Sequence, residues 1–386
     1  MQQRRVNFHT LGCKLNFSES STLAREFEEG GFVRVAPDAE ADICVVNSCS
    51  VTEHADKKCR NLIRKLHRRN PGAIIAVTGC YAQLKPQEIA AIEGVDIVVG
   101  NNDKGDLYKR VLELPGKGRA QVYSCDADSL TSFFAAFSSG DRTRAFLKVQ
   151  DGCDYKCAYC TIHYARGGSR NMPVADLVAE ARRIAAAGQK EIVLTGVNTG
   201  DFGRTTGEKF IDLLRALDGV DGSSVTASPP SNRTFDGRDH RLLRCFAEIP
   251  ASFPHPLQSG SDKILGLMRR RYTTARFADR IAAVRALMPD AFIGIDMIVG
   301  FPGETEEDFR TTYDFLAGLE PPFCIFSLLG TSRHAGRGDA RQGAGFGGDA
   351  PRGRAGGAVR EAARSILRPC RGGEDSVLFE STRAGA

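Results

Sequence analysis

The sequence lacks any long hydrophobic run and any large excess of charge. No apolar stretch approaches the roughly 20 residues that a membrane-spanning helix needs. Residues 1–13 pass from basic residues directly into a strand pattern, without the apolar segment of a secretion signal. The formal net charge of +5 in 386 residues favours a polyanionic partner only weakly. We therefore expect a cytoplasmic protein that does not associate with a membrane.

Cysteine, in contrast, is abundant, with 12 residues in the chain. A reducing cytosol does not favour disulfides, and a chain long enough for two or three domains needs no covalent framework to fold. Metal or redox chemistry is therefore the better explanation of the cysteine content.

The first part of the chain alternates between strand and helix patterns. The strand patterns are residues 6–10, 43–47, 73–78 and 97–100, and the helix patterns that follow them are residues 18–30, 53–69, 86–92 and 103–114. Repeated β–α units of this kind predict an α/β fold with a doubly wound parallel sheet in a domain of residues 1–120. Residues 116–140 contain small residues without a long period and are typical of a linker.

A second α/β domain is predicted for residues 139–330. Its strand patterns are residues 146–150, 191–196 and 292–299, and its helix patterns are residues 174–187, 210–217, 273–287 and 304–319. Units of this length indicate a partial (β/α) barrel. Two stretches interrupt the alternation. Residues 221–255 show no period-2 strand, and residues 331–386 are rich in Gly and Arg and contain no Lys, which is typical of a disordered tail.

The most specific motif is Cys153-x3-Cys157-x2-Cys160, which follows a predicted strand. Three thiolates on one loop can bind three irons of a [4Fe-4S] cluster and leave the fourth iron open. That iron can chelate S-adenosylmethionine and pass an electron to its sulfonium, which gives a 5′-deoxyadenosyl radical. A structural zinc loop is the alternative, but no fourth Cys or His stands at zinc-finger spacing.

A second set of cysteines, Cys13, Cys49 and Cys80, follows three different predicted strands. The carboxyl ends of neighbouring parallel strands meet in one crevice, so the three thiols can converge there. The alternative is three unrelated buried thiols, which are common in protein cores. The remaining cysteines show no such arrangement and are interpreted as core or surface residues: Cys44, Cys59, Cys125, Cys245, Cys324 and Cys370.

With both cysteine sets, the chain resembles the methylthiotransferase branch of the radical S-adenosylmethionine enzymes over residues 5–220 and 256–326. The stretches 9–16, 47–52 and 195–203 are most similar to the subfamily that acts on N6-threonylcarbamoyladenosine beside the tRNA anticodon. Related subfamilies act on isopentenyl-adenosine in tRNA or on an aspartate of a ribosomal protein.

The resemblance implies a role for each cysteine set. Cys13, Cys49 and Cys80 would hold an auxiliary [4Fe-4S] cluster that presents the sulfur, and the cysteines of the loop motif would hold the radical-generating [4Fe-4S] cluster. One S-adenosyl-L-methionine would methylate the sulfur, and a second would yield the radical that takes hydrogen from adenine C2. The implied partners are a tRNA substrate and an electron donor such as a flavodoxin or ferredoxin.

The resemblance also implies an S-adenosylmethionine pocket at the carboxyl face of the barrel. The matching residues are Gly196, Asn198, Gln258, Ser259, Gly300, Gly303 and Glu304. Glycine lets a backbone approach a ligand closely, but a purely turn-forming role is equally open for all of them.

Basic residues on the predicted helix 53–69 form a stripe at three- and four-residue spacing: Lys57, Arg60, Arg64 and Arg68. Such stripes bind phosphates, and residues 269–271 add three consecutive arginines. A solvated helix face is the alternative explanation.

The chain departs from the resemblance at three places. His163 stands where the family usually has proline. Residues 221–255 replace a barrel strand and helix, and residues 331–386 replace a small RNA-binding β-barrel domain. We interpret both segments as out-of-frame translation of a GC-rich gene and expect residues 221–255 to form a loop. The alternative function is then an inactive iron–sulfur protein with a damaged barrel.

Overall fold

The computed structural model describes residues 3–50, 52–139, 144–227, 252–287, 289, 292–319 and 323–328. They form α/β structure with parallel strands, as the sequence predicts. The chain divides into two compact units, Met1–Tyr155 with Cys160–Pro230, and Lys156–Tyr159 with Ser231–Ala386. None of the helices in these described ranges has the length and apolarity to cross a lipid bilayer.

The first unit begins with a six-stranded parallel sheet. Its strands, in chain order, are β1 (Arg5–Thr10), β2 (Val33–Arg34), β3 (Ile43–Ser48), β4 (Ile74–Gly79), β5 (Ile97–Val99) and β6 (Gln121–Tyr123). The helices between them are α1 (Lys14–Glu29), α2 (Glu53–Arg69), α3 (Cys80–Leu84), α4 (Pro86–Ala90) and α5 (Leu107–Leu112). The spatial order β2-β1-β3-β4-β5-β6 confirms the predicted doubly wound sheet.

Both faces of this sheet are covered. Along β3, Cys44 and Val46 enter one apolar core with Cys59 of α2, whereas Ile43 and Val45 enter the core on the opposite face. This double burial explains why residues 43–46 of β3 are all apolar instead of alternating with polar residues. Burial raises the pKa of Cys44 to about 11 and that of Cys59 to about 12, so both thiols stay protonated in the core.

A second, three-stranded parallel sheet completes the first unit. Its strands are β7 (Ala145–Lys148), β8 (Glu191–Thr195) and β9 (Ser224–Ala227), in that order. The helices are α6 (Ile162–Arg166), α7 (Val174–Ala186) and α8 (Phe210–Asp218). Strand β9 contradicts the expected loop, because it pairs with β8 from Ser224 to Ala227. Four residues are too few to show a period-2 pattern, although Val225 and Thr226 are β-branched and suit a strand.

The second unit contains a separate three-stranded parallel sheet. Its strands are β10 (Ser252–Gln258), β11 (Phe292–Val299) and β12 (Phe323–Leu328), in that order. Its helices are α9 (Asp262–Leu267), α10 (Thr274–Leu287) and α11 (Glu306–Leu319). The loop prediction is also wrong where β10 begins. Within the described residues β10 pairs only with β11, and an edge strand tolerates Pro254 and Pro256.

The remaining predictions for the two unusual segments concern residues 228–251 and 331–386. These include the loop around Pro229 and Pro230, the disordered tail and the loss of a small β-barrel domain. All of them lie outside the described residues.

Candidate functional site

The three N-terminal cysteines lie at the carboxyl edge of the six-stranded sheet. Cys13 caps the start of α1 shortly after β1, Cys49 directly follows β3, and Cys80 follows β4 as the first residue of α3. Strands β1, β3 and β4 are adjacent in the sheet. The fold therefore brings these three loops to one edge, and the role of the thiols as cluster ligands stays a prediction.

Two glycines allow these loops to approach each other. Gly12 has a φ of 103°, and a Cβ there would lie 2.8 Å from Cys49 Cβ and 2.9 Å from Cys49 Sγ. Gly79 has a φ of 97°, and a Cβ there would collide with the carbonyl oxygen of Ser48. Any side chain at either position would strain the backbone and push the cysteine loops apart.

The three thiols differ in exposure, since Cys13 is exposed whereas Cys49 and Cys80 are buried. The pKa of Cys80 is raised above its usual value, mainly because the thiol is buried. The nearby Cys13 thiol adds to this rise, whereas the charges of Arg166 and Lys104 oppose it. Within the described residues, no three Cys, His, Asp or Glu side chains converge closely enough to bind a single metal ion. A [4Fe-4S] cluster separates its ligands, because each cysteine binds a different iron, and an all-thiol donor set fits it.

The loop that carries Cys153 is fixed at its start. Asp151 and Arg170 form an antiparallel bridge, and the Cys153 amide donates to the carbonyl of Gly167 at 2.9 Å. His163 contributes a further contact from α6, since its Nδ1 lies 2.8 Å from the Cys153 carbonyl oxygen and must donate to it. A proline could not make this side-chain contact, so the departure at residue 163 adds a hydrogen bond to the loop.

Cys157 belongs to the second unit, where Arg270 contacts it. The guanidinium of Arg270 donates to Cys157 Sγ and to Tyr159 Oη, both at 3.3 Å. Burial opposes its charge, but Tyr272, Tyr159 and Cys157 raise the pKa of Arg270 above its usual range. Arg270 thus contacts side chains of its own unit, and whether residues 269–271 bind phosphate stays a prediction. Nothing in the local sequence distinguishes the middle arginine from its neighbours.

In the first unit, Asn198 lies against the cysteine loop. Its backbone N–H donates to Gln150 Oε1 at 2.7 Å, and its side-chain Nδ2 lies 3.9 Å from Cys153 Sγ. Its Oδ1 is buried and meets no donor in the described part of the chain. A Cβ at Gly196, two residues earlier, would lie 2.8 Å from Thr199 Cγ2, so this turn needs glycine. A buried acceptor beside Cys153 fits a cofactor that offers N–H or O–H donors.

The other residues of the predicted S-adenosylmethionine pocket lie in the second unit and have structural contacts there. Glu304 accepts hydrogen bonds from the amides of Gly300 at 2.6 Å and Phe301 at 3.2 Å. Ser259 Oγ lies 3.2 Å from Thr312 Oγ1. Gln258 ends β10 with a φ of 71°, at an irregularity in its pairing with β11. Gly300 and Gly303 have φ values of 81° and 92° and lie in the bend and turn that follow β11. Whether Gln258, Ser259, Gly300, Gly303 and Glu304 also bind the cofactor stays a prediction.

A glycine substitution tests the packing of the loop that precedes Cys153. Gly152 has a φ of 70°, and a Cβ there would collide with the backbone of Gly168, whereas Gly188 has a φ of 84° with open space around it. We expect Gly152→Ala to destabilise the protein by about 3–5 kcal/mol and Gly188→Ala by only about 1–2 kcal/mol. Thermal unfolding together with the iron content checks this. Equal losses of stability in the two variants would show that the loop relaxes around the added methyl group.

Comparisons with known proteins match two family models to separate parts of the chain. Residues 5–100 match the model described as Uncharacterized protein family UPF0004, and residues 147–316 match the Radical SAM superfamily. Among solved structures, the chain is similar to the radical S-adenosylmethionine methyltransferase TsrM from Kitasatospora setae. The TM-score is 0.59 with 15% identity, over 84% of this chain and 73% of that chain. The fold and the superfamily match define a radical S-adenosylmethionine enzyme.

Relatives of known function identify the family within this class of enzymes. The chain is 39% identical over 356 residues to threonylcarbamoyladenosine tRNA methylthiotransferase MtaB of Bacillus subtilis, which covers 87% of this chain and 75% of that protein. It is 36% identical to the MtaB protein of Thermotoga maritima, over 82% and 72% of the two chains. It is 35% identical to tRNA-2-methylthio-N(6)-dimethylallyladenosine synthase of Akkermansia muciniphila, over 78% and 72%. The chain belongs to the tRNA methylthiotransferase family, whose radical chemistry uses S-adenosylmethionine and [4Fe-4S] clusters.

Proposed function

We propose that this chain inserts a methylthio group at C2 of N6-threonylcarbamoyladenosine beside the anticodon of tRNA. The observation that carries this choice is the similarity to threonylcarbamoyladenosine tRNA methylthiotransferases from three bacteria, at 36% to 39% identity. Dimethylallyladenosine synthases reach 33% to 36% identity, so the two ranges meet only at 36%. The proposal includes an electron donor such as a flavodoxin or ferredoxin, because radical generation needs a reductant. It also includes a cytoplasmic location.

The two cysteine sets divide the work in this proposal. Cys13, Cys49 and Cys80 hold the auxiliary cluster, and the cysteines at 153, 157 and 160 hold the cluster that cleaves S-adenosylmethionine. When bound, these groups supply the sulfur, the methyl group and the radical that removes the C2 hydrogen of adenine. The chain orients them: Arg270 donates to Cys157 Sγ, and Asn198 lies against Cys153 Sγ. Hydrogen bonds to ligand sulfur tune the reduction potential of a cluster.

Helix α2 supports the tRNA part of the proposal. Its exposed cationic residues are Lys57, Lys58, Arg64, Lys65, Arg68 and Arg69. Arg60 differs from the predicted stripe, since it pairs with Glu88 at 2.9 Å and also donates to Tyr81 Oη. The phosphate-binding face we propose, the α2 face, therefore consists of these six cations without Arg60.

A cavity of about 330 Å³ lies between the α2 face and the end of β1. His9, Thr10, Leu11 and Lys58 are among its lining residues. Burial, with the nearby charges of Lys65 and Arg69, lowers the pKa of His9 to about 4, so the imidazole is neutral at pH 7. The cavity wall at residues 9–11 immediately precedes Gly12 and Cys13. A nucleic acid bound along α2 would therefore reach the edge of the sheet where Cys13 lies.

Removing three exposed charges from α2 tests this surface. We expect the variant in which serine replaces Lys57, Arg64 and Arg68 to bind tRNA more weakly. The slope of log K against log salt concentration should become less steep by about two. The matched control replaces three exposed cations elsewhere in the first unit with serine: Lys109, Lys117 and Arg182. Both variants lose the same charge, so equal weakening in the two would show a general charge effect and exclude an α2 interface.

The proposed activity is tested by mass spectrometry of tRNA nucleosides from a host that lacks its own enzyme, with and without this chain. A 2-methylthio-N6-threonylcarbamoyladenosine peak that depends on the chain supports the proposal. A methylthiolated isopentenyl-adenosine peak, or a methylthiolated ribosomal protein, would instead assign a related substrate. Bound clusters without any methylthio product would identify an inactive iron–sulfur protein.

A further inference from the structure

Six charged side chains form a buried network in the first unit. Each is at most 5% exposed, and the members are Glu19, Lys104, Lys148, Asp151, Arg166 and Arg170. We call them the ion network. Four of these side chains are cationic and two are carboxylates, so two positive charges are not balanced within the network. Unbalanced buried charge is costly in free energy, and it therefore needs an anionic partner.

The two carboxylates hold the network together. Glu19 accepts from Lys148 at 2.8 Å and from Arg166 at 2.9 Å, and it pairs with Lys104 through its other oxygen. Asp151 accepts from Lys148 at 2.6 Å and from Arg166 at 2.9 Å. Arg166 thus bridges both carboxylates, and the charges of Asp151 and Glu19 raise its pKa well above the usual range even though burial opposes this.

Arg166 also extends the network to the loops of the N-terminal cysteines. Its Nη2 donates to Asn16 Oδ1 at 2.6 Å. Asn16 Nδ2 in turn donates to the carbonyls of Leu11 at 2.7 Å and Ser48 at 3.0 Å. Leu11 lies two residues before Cys13, and Ser48 ends β3 directly before Cys49. One buried amide, held by Arg166, therefore bonds the backbone just before both cysteines.

The third cysteine of the set lies close to the same cations. Helix α3, which begins at Cys80, packs against α6, which ends at Arg166. The positive charges of Arg166 and Lys104 both act on the Cys80 thiol. Thr161, which follows Cys160, also lies near the backbone after Cys49, because its Oγ1 donates to the carbonyl of Ser50 at 3.4 Å. The unbalanced cations therefore lie beside the predicted auxiliary cluster.

We propose that the ion network supplies the counter-charge for a cluster bound by Cys13, Cys49 and Cys80, with Arg166 as the positioning residue. This inference rests on the proposed ligand role of those cysteines. A [4Fe-4S] core with three thiolates carries net negative charge, and this charge grows when the cluster is reduced. Cations in a water-poor interior stabilise the reduced form and so raise the reduction potential. The network thereby makes the auxiliary cluster easier to reduce.

The test measures the reduction potential of this cluster in the full-length chain, reconstituted anaerobically. Alanine replaces Cys153, Cys157 and Cys160 in every sample, so that only the auxiliary cluster contributes to the electron paramagnetic resonance signal. We expect Lys104→Met to shift the midpoint potential to a more negative value, because one positive charge is lost. The double variant Glu19→Gln with Lys104→Met keeps the net charge and should return the potential toward that of the parent.

A network that serves only folding predicts a different pattern. The single and double variants would then lower the unfolding temperature without moving the potential, or would move it equally, and either outcome overturns the proposal. If Lys104→Met does not fold, Lys148→Met removes the same charge from the network and replaces it in the comparison. Arg166→Lys keeps the charge but loses the forked guanidinium that joins Asn16 to the carboxylates of Glu19 and Asp151. It should retain the parent potential and bind less iron.

The same samples distinguish failure of the proposed cluster ligands from failure of the counter-charge proposal. If the parent chain without its loop cysteines binds no iron, the ligand role of Cys13, Cys49 and Cys80 is wrong, and the counter-charge proposal fails with it. If the parent binds about four irons and the potential does not follow the network charge, only the counter-charge proposal fails.

Discussion

Replacing Cys153, Cys157 and Cys160 with alanine should halve the iron content, from about eight irons per chain to about four. Each three-cysteine set is expected to hold one four-iron cluster, and the loop between Gly152 and Thr161 offers three thiols within one short segment. Iron analysis after anaerobic reconstitution measures the change. The expected loss is large because a cluster cannot keep all its irons without its ligands.

A matched control removes three thiols that the fold places elsewhere: Cys44, Cys59 and Cys125. The first two are buried in the core of the six-stranded sheet, and their raised pKa values disfavour the thiolate that iron binds. Their alanine variant should keep about eight irons. An unchanged iron count in the variant of the loop cysteines would show that the loop does not hold a cluster.

Replacing Cys13, Cys49 and Cys80 with alanine should abolish methylthio transfer while cleavage of S-adenosylmethionine continues. The reason is spatial, because these thiols lie at the edge of the six-stranded sheet and the radical-generating motif lies on a different loop. Two assays on one sample are needed, one for 5′-deoxyadenosine and one for the methylthiolated nucleoside.

The variant of the loop cysteines is the control for this separation and should lose both products. Methylthio transfer that survives in the variant of Cys13, Cys49 and Cys80 would contradict the auxiliary-cluster role. Loss of both products there would show that the two cysteine sets depend on each other, as a shared ion network would allow.

Local sequence patterns were sufficient for much of the first sheet. Helix α2 has the ends that its apolar spacing predicts, Glu53–Arg69, and the structure adds a cap at Thr52, which accepts from the Ala55 amide. The cysteine loops were located because each follows an apolar strand. These signals lie within a few residues of each other, so they can be read along the chain.

Contacts between distant residues could not be predicted in the same way. Arg166 contacts Glu19, which lies 147 positions earlier, and no local pattern marks either residue as a partner. Arg270 resembled its exposed neighbours, yet it contacts Cys157. The sequence does not indicate strand β9, which has only four residues, or strand β10, whose prolines obscure the alternating pattern. Each case depends on pairing that only the folded chain reveals.

The close approach of backbone segments at Gly12, Gly79 and Gly152 has a consequence for inherited variation in the gene. A single-base change in a glycine codon can introduce a side chain, and at these positions it would meet Cys49, Ser48 or Gly168. Such a missense allele would leave all twelve cysteine codons intact. A screen of natural alleles that scores only the cysteines would therefore pass it as functional, although the backbone of its cysteine loops is distorted.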